Sequence, residues 1–324
     1  MPPMAAGRVT GRLCVALLMI VLTACGSSPE IGRLLAGEVE NLPPAIALDG
    51  VPFYPQEAYQ CGPAALATVL NFSGAAVAVD ELVERVYIPA RQGSLQPEML
   101  AATRGRERIP FRIQPSLASL LHEVQAGRPV LVFQNLGLDW LPQWHYAVVV
   151  GYDLEAGSLV LRSGTIREYT TSLALFDRTW RRTGRWGFVA LRPGELPADR
   201  DPLRYLEALM DMEEVAQSHQ LIPAYLAAAE RWPQSEIFPF ALGNLYYRDG
   251  QLELAGQQFR QLVQDHPQFA AGHNNLAQVL LEQGSLSQAE AHARQAVALG
   301  GSRRAVYQNT LMEILDAADS PGQG

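Results

Sequence analysis

The chain has 324 residues, 48% of them hydrophobic and 18% charged, a composition that fits a folded globular protein with room for two domains. Its net charge is −8, and all 25 basic residues are arginine. That balance argues against a nucleic-acid-binding surface.

Residues 1–24 read as an export signal. Arg8 and Arg12 give a positive start, and the apolar run over 13–22 is too short to span a bilayer but suits a signal core. No later apolar stretch is long enough to cross a membrane. Leu22-Thr23-Ala24-Cys25 resembles a bacterial lipobox, which implies that Cys25 is lipidated and becomes the mature N-terminus. Gly26 rather than Asp follows it. By resemblance to enterobacterial sorting, this places the protein in the cell envelope at the outer membrane, held to the membrane through its N-terminal lipid. Residues 25–44, opening Gly26-Ser27-Ser28-Pro29, read as a tether. Of the three cysteines, Cys14 leaves with the signal and Cys25 carries lipid, so Cys61 is the one remaining thiol and no intramolecular disulfide can form.

Residues 45–192 form the first predicted domain. A proline-broken extended run delivers Cys61 to the first turn of a helix. Pro63 suits that turn, the small residues Ala64, Ala65 and Ala67 allow close packing, and Gly74 stops the helix. A thiol there sits at the positive end of the helix dipole, which favours the thiolate. Further helices are expected over 81–87, 94–104 and from Ser116 to Gly127, and strands over 109–114, 129–134, 145–152, 158–162, 166–170 and 186–191. Helices first and a mostly antiparallel sheet after them make an α+β arrangement.

This domain has two histidines. His122 falls on the polar side of its helix. His145 opens a strand that stays apolar for the next five residues, after an irregular loop over 135–144 with two tryptophans. A helix-start cysteine paired with a strand-start histidine is the arrangement of papain-like nucleophilic catalysis, in which the imidazole takes the thiol proton.

The stretches VPFYPQEAYQCGPAALATVL and HYAVVVGY resemble the double-glycine leader peptidases, papain-like cysteine peptidases that trim bacteriocin precursors, and their peptidase-like relatives. The resemblance covers about residues 50–192. It implies Cys61 as nucleophile, His145 as base and Gln56 as oxyanion donor. Gln56 precedes the cysteine by five residues, one fewer than in the processing peptidases, and Gln60 is a rival donor. The family's orienting Asp or Asn is missing from the strand after the histidine, which reads LVLRSGT. Asp153 lies in the turn, too far along the strand to reach. The orienting role falls to Ser163, to a main-chain carbonyl, or to nothing.

Residues 193–202 are rich in proline and charge and read as an exposed linker. Beyond it, over 203–320, the period changes. Gly243, Gly250, Ala255 and Phe259 recur 34 residues later as Ala277, Gly284, Ala289 and Ala293. This is tetratricopeptide spacing, with units over 236–269 and 270–303, a degenerate unit over 202–235 and a closing helix over 305–317. His266, His273 and His292 lie on these helices as ordinary surface or packing residues, without metal-site spacing.

The expectation is therefore a lipid-anchored envelope protein with a papain-like α+β cysteine peptidase domain and an all-α tetratricopeptide solenoid. It hydrolyses a peptide bond in a peptide or protein substrate without metal or cofactor, and its repeats hold the substrate or a protein partner in their groove. The alternatives are a non-catalytic peptide-binding relative, or other acyl chemistry such as a transferase or a cell-wall amidase.

Overall fold

The computed structural model describes residues 28–55 and 60–319. In chain order it runs α1 (Pro29–Leu35), β1 (Ala45–Ala47), α2 (Cys61–Phe72), α3 (Val79–Val86), α4 (Gln96–Arg104), β2 (Ile109–Arg112), α5 (Leu117–Gln125), β3 (Val130–Asn135), β4 (Trp144–Asp153), β5 (Ser158–Ser163), β6 (Ile166–Ser172), α6 (Leu173–Arg181) and β7 (Gly187–Leu191). Seven helices follow: α7 (Pro202–Glu213), α8 (Ser218–Arg231), α9 (Ile237–Arg248), α10 (Leu252–Asp265), α11 (Ala270–Glu282), α12 (Leu286–Leu299) and α13 (Arg304–Asp319). None of the helices among the described residues is long and apolar enough to cross a membrane.

The strands form one antiparallel sheet in the order β2-β7-β3-β4-β5-β6, with β1 paired to the far end of β4. Alternation along β4 divides the core. Tyr146 and Val148 face one side, packed with Leu66 and Leu70 of α2, Leu82 of α3 and Met99 of α4. Ala147 and Val149 face the other, packed with Leu34 of α1, Leu120 of α5 and Trp180 of α6. The helix that begins at Cys61 is thus buried along nearly its whole length against one face of the sheet. Its alanines let the backbones approach, and each buried leucine contributes on the order of 2 kcal/mol.

Two segments differ from the sequence reading. Residues 29–35, read as part of a tether, form a helix. Pro29 opens it, and Ile31 and Leu34, three apart, bury their side chains in the core. Residues 173–181 form a helix that the sequence reading left out. Ser172 Oγ accepts from Leu175 N at 3.2 Å, and Leu173, Phe176 and Trp180 line up on one buried face.

The connection to the repeats is tied down. Ala198 N donates to the buried Glu123 at 2.9 Å, Tyr205 donates through its hydroxyl to the Glu195 carbonyl at 3.0 Å, and Trp232 Nε1 donates to the Arg200 carbonyl at 3.0 Å. Tyr205, Leu209 and Met212 of α7 complete the core that contains Phe111 and Val189, so the first repeat helix belongs to the same packed body as the sheet. Within the repeats, a Cβ on Gly243 would lie 2.7 Å from Phe259 Cζ, which is why a residue without a side chain stands where α9 and α10 touch. Gly250 and Gly284, both at φ +73°, make the turns between paired helices.

Candidate active site

Cys61 is the first residue of α2 and is half-buried. The first turn is held by Ala64 N donating to the Gln60 carbonyl at 3.2 Å. The main-chain N–H groups of Tyr146, Gly62 and Cys61 itself favour negative charge on the sulfur. Burial pushes the thiol up from its ordinary value, and those N–H groups pull it only part of the way back. The helix terminus therefore does not yield a free thiolate in the resting protein. Desolvation outweighs the oriented N–H groups, and the neutral thiol is the favoured form.

His145 is the second residue of β4. Its neighbour Tyr146 supplies a main-chain N–H that favours charge on the sulfur, so the imidazole and that donor sit side by side at one end of one strand. His145 Nε2 stands 2.8 Å from Ser163 Oγ at the end of β5. Burial lowers the imidazole from its ordinary value, so it too is neutral at rest. Among the described residues no hydrogen bond joins the Cys61 sulfur to the ring. Ser163 occupies Nε2, and Nδ1 is the nitrogen left for the thiol.

The other sequence candidates fall into place around this pair. Asp153 accepts from Ala156 N at 2.8 Å in the hairpin turn, at the far end of β4 from His145. Arg162 points away and donates to the carbonyls of Arg167, at 2.6 Å, and Val51, at 3.4 Å. His122 bonds Gln125 Oε1 at 3.3 Å on α5. Gln60 is the N-cap of α2, with no side-chain capping bond. Gln56 and the lipidation candidate Cys25 lie outside the described residues. Among the described residues there is no group of three or more His, Cys, Asp or Glu that could hold a metal ion.

Two residues that the sequence reading passed over complete the wall behind the sulfur. Tyr146 sends its hydroxyl to the Ser94 carbonyl at 3.1 Å, and its phenol is pushed far up by burial and by the neighbouring Cys61 and Glu98. A Cβ on Gly62 would lie 2.7 Å from Ser94 Cβ, so the residue after Cys61 has to be glycine for the loop carrying Ser94 to close on it. The Cys-Gly pair is the only trace of this in the sequence, because nothing local marks Ser94.

The arrangement is a neutral thiol and a neutral imidazole at one end of the sheet, with a hydroxyl on the far ring nitrogen. It is suited to acyl transfer in which the base acts during attack.

Comparison with known proteins assigns a family likeness to each part of the chain. Residues 48–187 match the Peptidase_C39 like family, and residues 222–267 and 240–303 match the tetratricopeptide repeat. No curated protein matches the chain significantly. Among solved structures, a C39-like peptidase from Bacillus anthracis is 17% identical, covering 45% of this chain and 97% of that one, with a TM-score of 0.39. A double glycine motif protease from an AMS/PCAT transporter, in complex with the leader peptide, is 19% identical, covering 44% and 93%, with a TM-score of 0.34. The first tetratricopeptide domain of Spaghetti (RPAP3), bound to an HSP90 peptide, is 15% identical, covering 37% and 94%, with a TM-score of 0.33.

Proposed function

On the premise that the chain carries a Peptidase_C39-like domain followed by tetratricopeptide repeats, we propose that it is a cysteine peptidase of the bacterial envelope. The observation that carries the reading is that the first turn of α2, with Cys61, meets the start of β4, with His145 and Tyr146, while His145 Nε2 stands 2.8 Å from Ser163 Oγ.

The neutral His145 carries its proton on Nε2 and donates it to Ser163 Oγ, which leaves the Nδ1 lone pair for the thiol. As the sulfur attacks a peptide carbonyl, Nδ1 takes the thiol proton. The main-chain N–H of Cys61 and the side-chain amide of Gln56 receive the developing oxyanion. Collapse expels the amine, which takes the proton from the imidazolium. Water, deprotonated by the same nitrogen, then releases the acid from the thioester. Starting from two neutral groups avoids holding an ion pair in a desolvated site before substrate arrives. The test is hydrolysis of a mixed peptide library read by mass spectrometry. Products should form with the native protein and be absent with Cys61→Ala. Equal product from both would remove Cys61 from the reaction.

The envelope address is part of the same proposal. Lipid on Cys25 would hold the protein to a membrane, the outer membrane by the residue that follows it. The mass of the N-terminal peptide from membrane-extracted protein reads the acyl groups directly, and an unmodified Cys25 would end this part. The repeats would recruit a protein substrate or partner on the face where Asn275 Nδ2 donates to Asn244 Oδ1 at 2.7 Å across neighbouring units. Because α7 shares the core of the sheet, the test is a surface substitution rather than a truncation. Asn244→Arg should slow cleavage of a protein substrate and leave short peptides unaffected.

The raised thiol favours one second reading, peptide binding without hydrolysis. That reading predicts saturable peptide binding by both native protein and Cys61→Ala, with no product from either.

A further inference from the structure

The loop over 136–144, between β3 and β4, exposes five large apolar side chains in nine residues. Trp140 is 79% exposed, Leu141 60% and Trp144 56%, with Leu136 and Leu138 at 48% each. Much of its main chain is nevertheless paired. Leu136 N donates to the Gln143 carbonyl at 2.8 Å, and Leu138 and Leu141 exchange N–H···O bonds of 3.1 and 3.0 Å. Asn135 Oδ1 accepts from Gly137 N at 3.0 Å and Gln143 N at 2.9 Å. A Cβ on Gly137 would lie 2.8 Å from Gln143 N, so the turn is as tight as a chain allows. The one charge in the loop, Asp139, faces Arg182 at 3.5 Å. The loop is thus a preformed, largely apolar tip with most of its main-chain N–H groups paired and its one carboxylate facing an arginine, features that favour entry into the boundary between lipid headgroups and acyl chains. Tryptophan and leucine are the residue types that partition there.

The described chain begins at the same end of the domain. Glu30, at the start of α1, pairs with Arg185 at 3.3 Å and accepts from Ala118 N at 3.2 Å. Arg185 belongs to the turn between α6 and β7, and that turn also carries Arg182, which donates to the carbonyls of Asn135 and Gly137 at the base of the loop. The other end of α1 lies by the β4–β5 hairpin, where a Cβ on Gly157 would be 3.7 Å from Leu35. Cys25 is three residues before Ser28, and three residues reach at most ~10 Å. A lipid on Cys25 and the apolar loop therefore emerge on one side of the molecule.

We infer that the 136–144 loop rests in the surface of the bilayer that holds the N-terminal lipid, as a second membrane contact. It fixes the domain so that the end of the sheet carrying Cys61 and His145 faces the lipid. This rests on the lipid anchor proposed above. Two signals, a lipid and an apolar contact, give a defined orientation that a lipid alone does not give.

The test uses full-length protein extracted from membranes and reconstituted into phosphatidylcholine vesicles with brominated or unbrominated acyl chains. Tryptophan emission is read for the native protein and for Trp140→Phe, which keeps an aromatic side chain at the tip. Bromine should quench the native protein, and the quenched fraction should fall markedly in Trp140→Phe. Vesicle-bound, acylated protein with no quenching, or with the same quenching in both, would overturn the inference while leaving the anchor in place. An unmodified Cys25 in the N-terminal mass would overturn the anchor and this inference together. Absent quenching, combined with several-fold slower labelling of Cys61 by a soluble peptide probe in Trp140→Ser, would assign the loop to substrate instead.

Discussion

His145 Nε2 and Ser163 Oγ stand 2.8 Å apart at the adjoining ends of β4 and β5, which ties one ring nitrogen to a hydroxyl and, in the proposed reaction, leaves Nδ1 to meet the sulfur. Ser163→Ala removes the acceptor of the Nε2 proton. The ring then loses both its tautomer preference and its orientation, and the rate of acyl transfer to Cys61 should fall about ten- to a hundred-fold. Ser163→Asn, which still presents an oxygen, should recover part of that loss. Nitrogen NMR of His145 should show the proton redistributed between the two ring nitrogens in the alanine variant. An unchanged tautomer would make Ser163 a bystander.

Cys61 should not behave as an acidic thiol. Burial raises it more than the N–H groups of Tyr146 and Gly62 lower it. The rate of alkylation by iodoacetamide should therefore rise with pH through an inflection above the ~8.5 of a free cysteine. An inflection below that value would mean that the resting protein holds a thiolate–imidazolium pair, and the general-base step would have to be replaced.

Gly62→Ala tests the packing beside Cys61. Its Cβ would press on Ser94, which is anchored through its carbonyl to Tyr146. The substitution should cost about 1–3 kcal/mol of stability by overpacking and displace Cys61. Ser94→Gly, which vacates the colliding atoms, should restore much of the melting temperature in the double variant. If Ser94→Gly restores nothing, the contact is not what excludes a side chain at position 62.

A second histidine pair lies in the repeats, and its hydrogen bonds determine its protons. His273 Nε2 donates to the Pro267 carbonyl at 3.2 Å, so its Nδ1 is an acceptor, and His292 Nδ1, 3.0 Å away, must be the donor. Burial lowers both imidazoles. The Pro267 carbonyl partly opposes this at His273, and His273 and Arg260 add to it at His292. The unfolded chain then binds protons at a higher pH than the folded one. Stability from the pair is complete above about pH 6.5 and is lost as pH falls below that value. The fall in melting temperature between pH 7.5 and 5.5 should be steeper in the native protein than in His292→Phe, and equal slopes would contradict the assignment.

What was legible in the sequence is what local signals encode. The helix beginning at Cys61 is announced by Pro63 and by the run of small residues after it, and the strand beginning at His145 by its unbroken apolar run. The repeats are announced by a 34-residue period in which Gly243 meets Phe259 and Gly250 makes a turn. What was not legible depends on partners distant in the chain. Ser94 matters because it closes on Gly62. Residues 29–35 look like a tether until Ile31 and Leu34 find the core, and the segment near 200 looks free until Glu123, Tyr205 and Trp232 bind it. The thiol illustrates a competition of magnitudes. The helix terminus is visible in the sequence and favours the thiolate, whereas the burial that outweighs it appears only once α2 is packed on the sheet.

The most direct test of the Cys61–His145 assignment is covalent trapping with a peptidyl vinyl sulfone, read by intact mass and by mapping the modified peptide. The account predicts a single adduct on Cys61, with its rate reduced on the order of a hundred-fold in His145→Ala. A protein that acquires no adduct, or that acquires it at the same rate without the imidazole, would contradict the claim that these two residues act together on a peptide carbonyl.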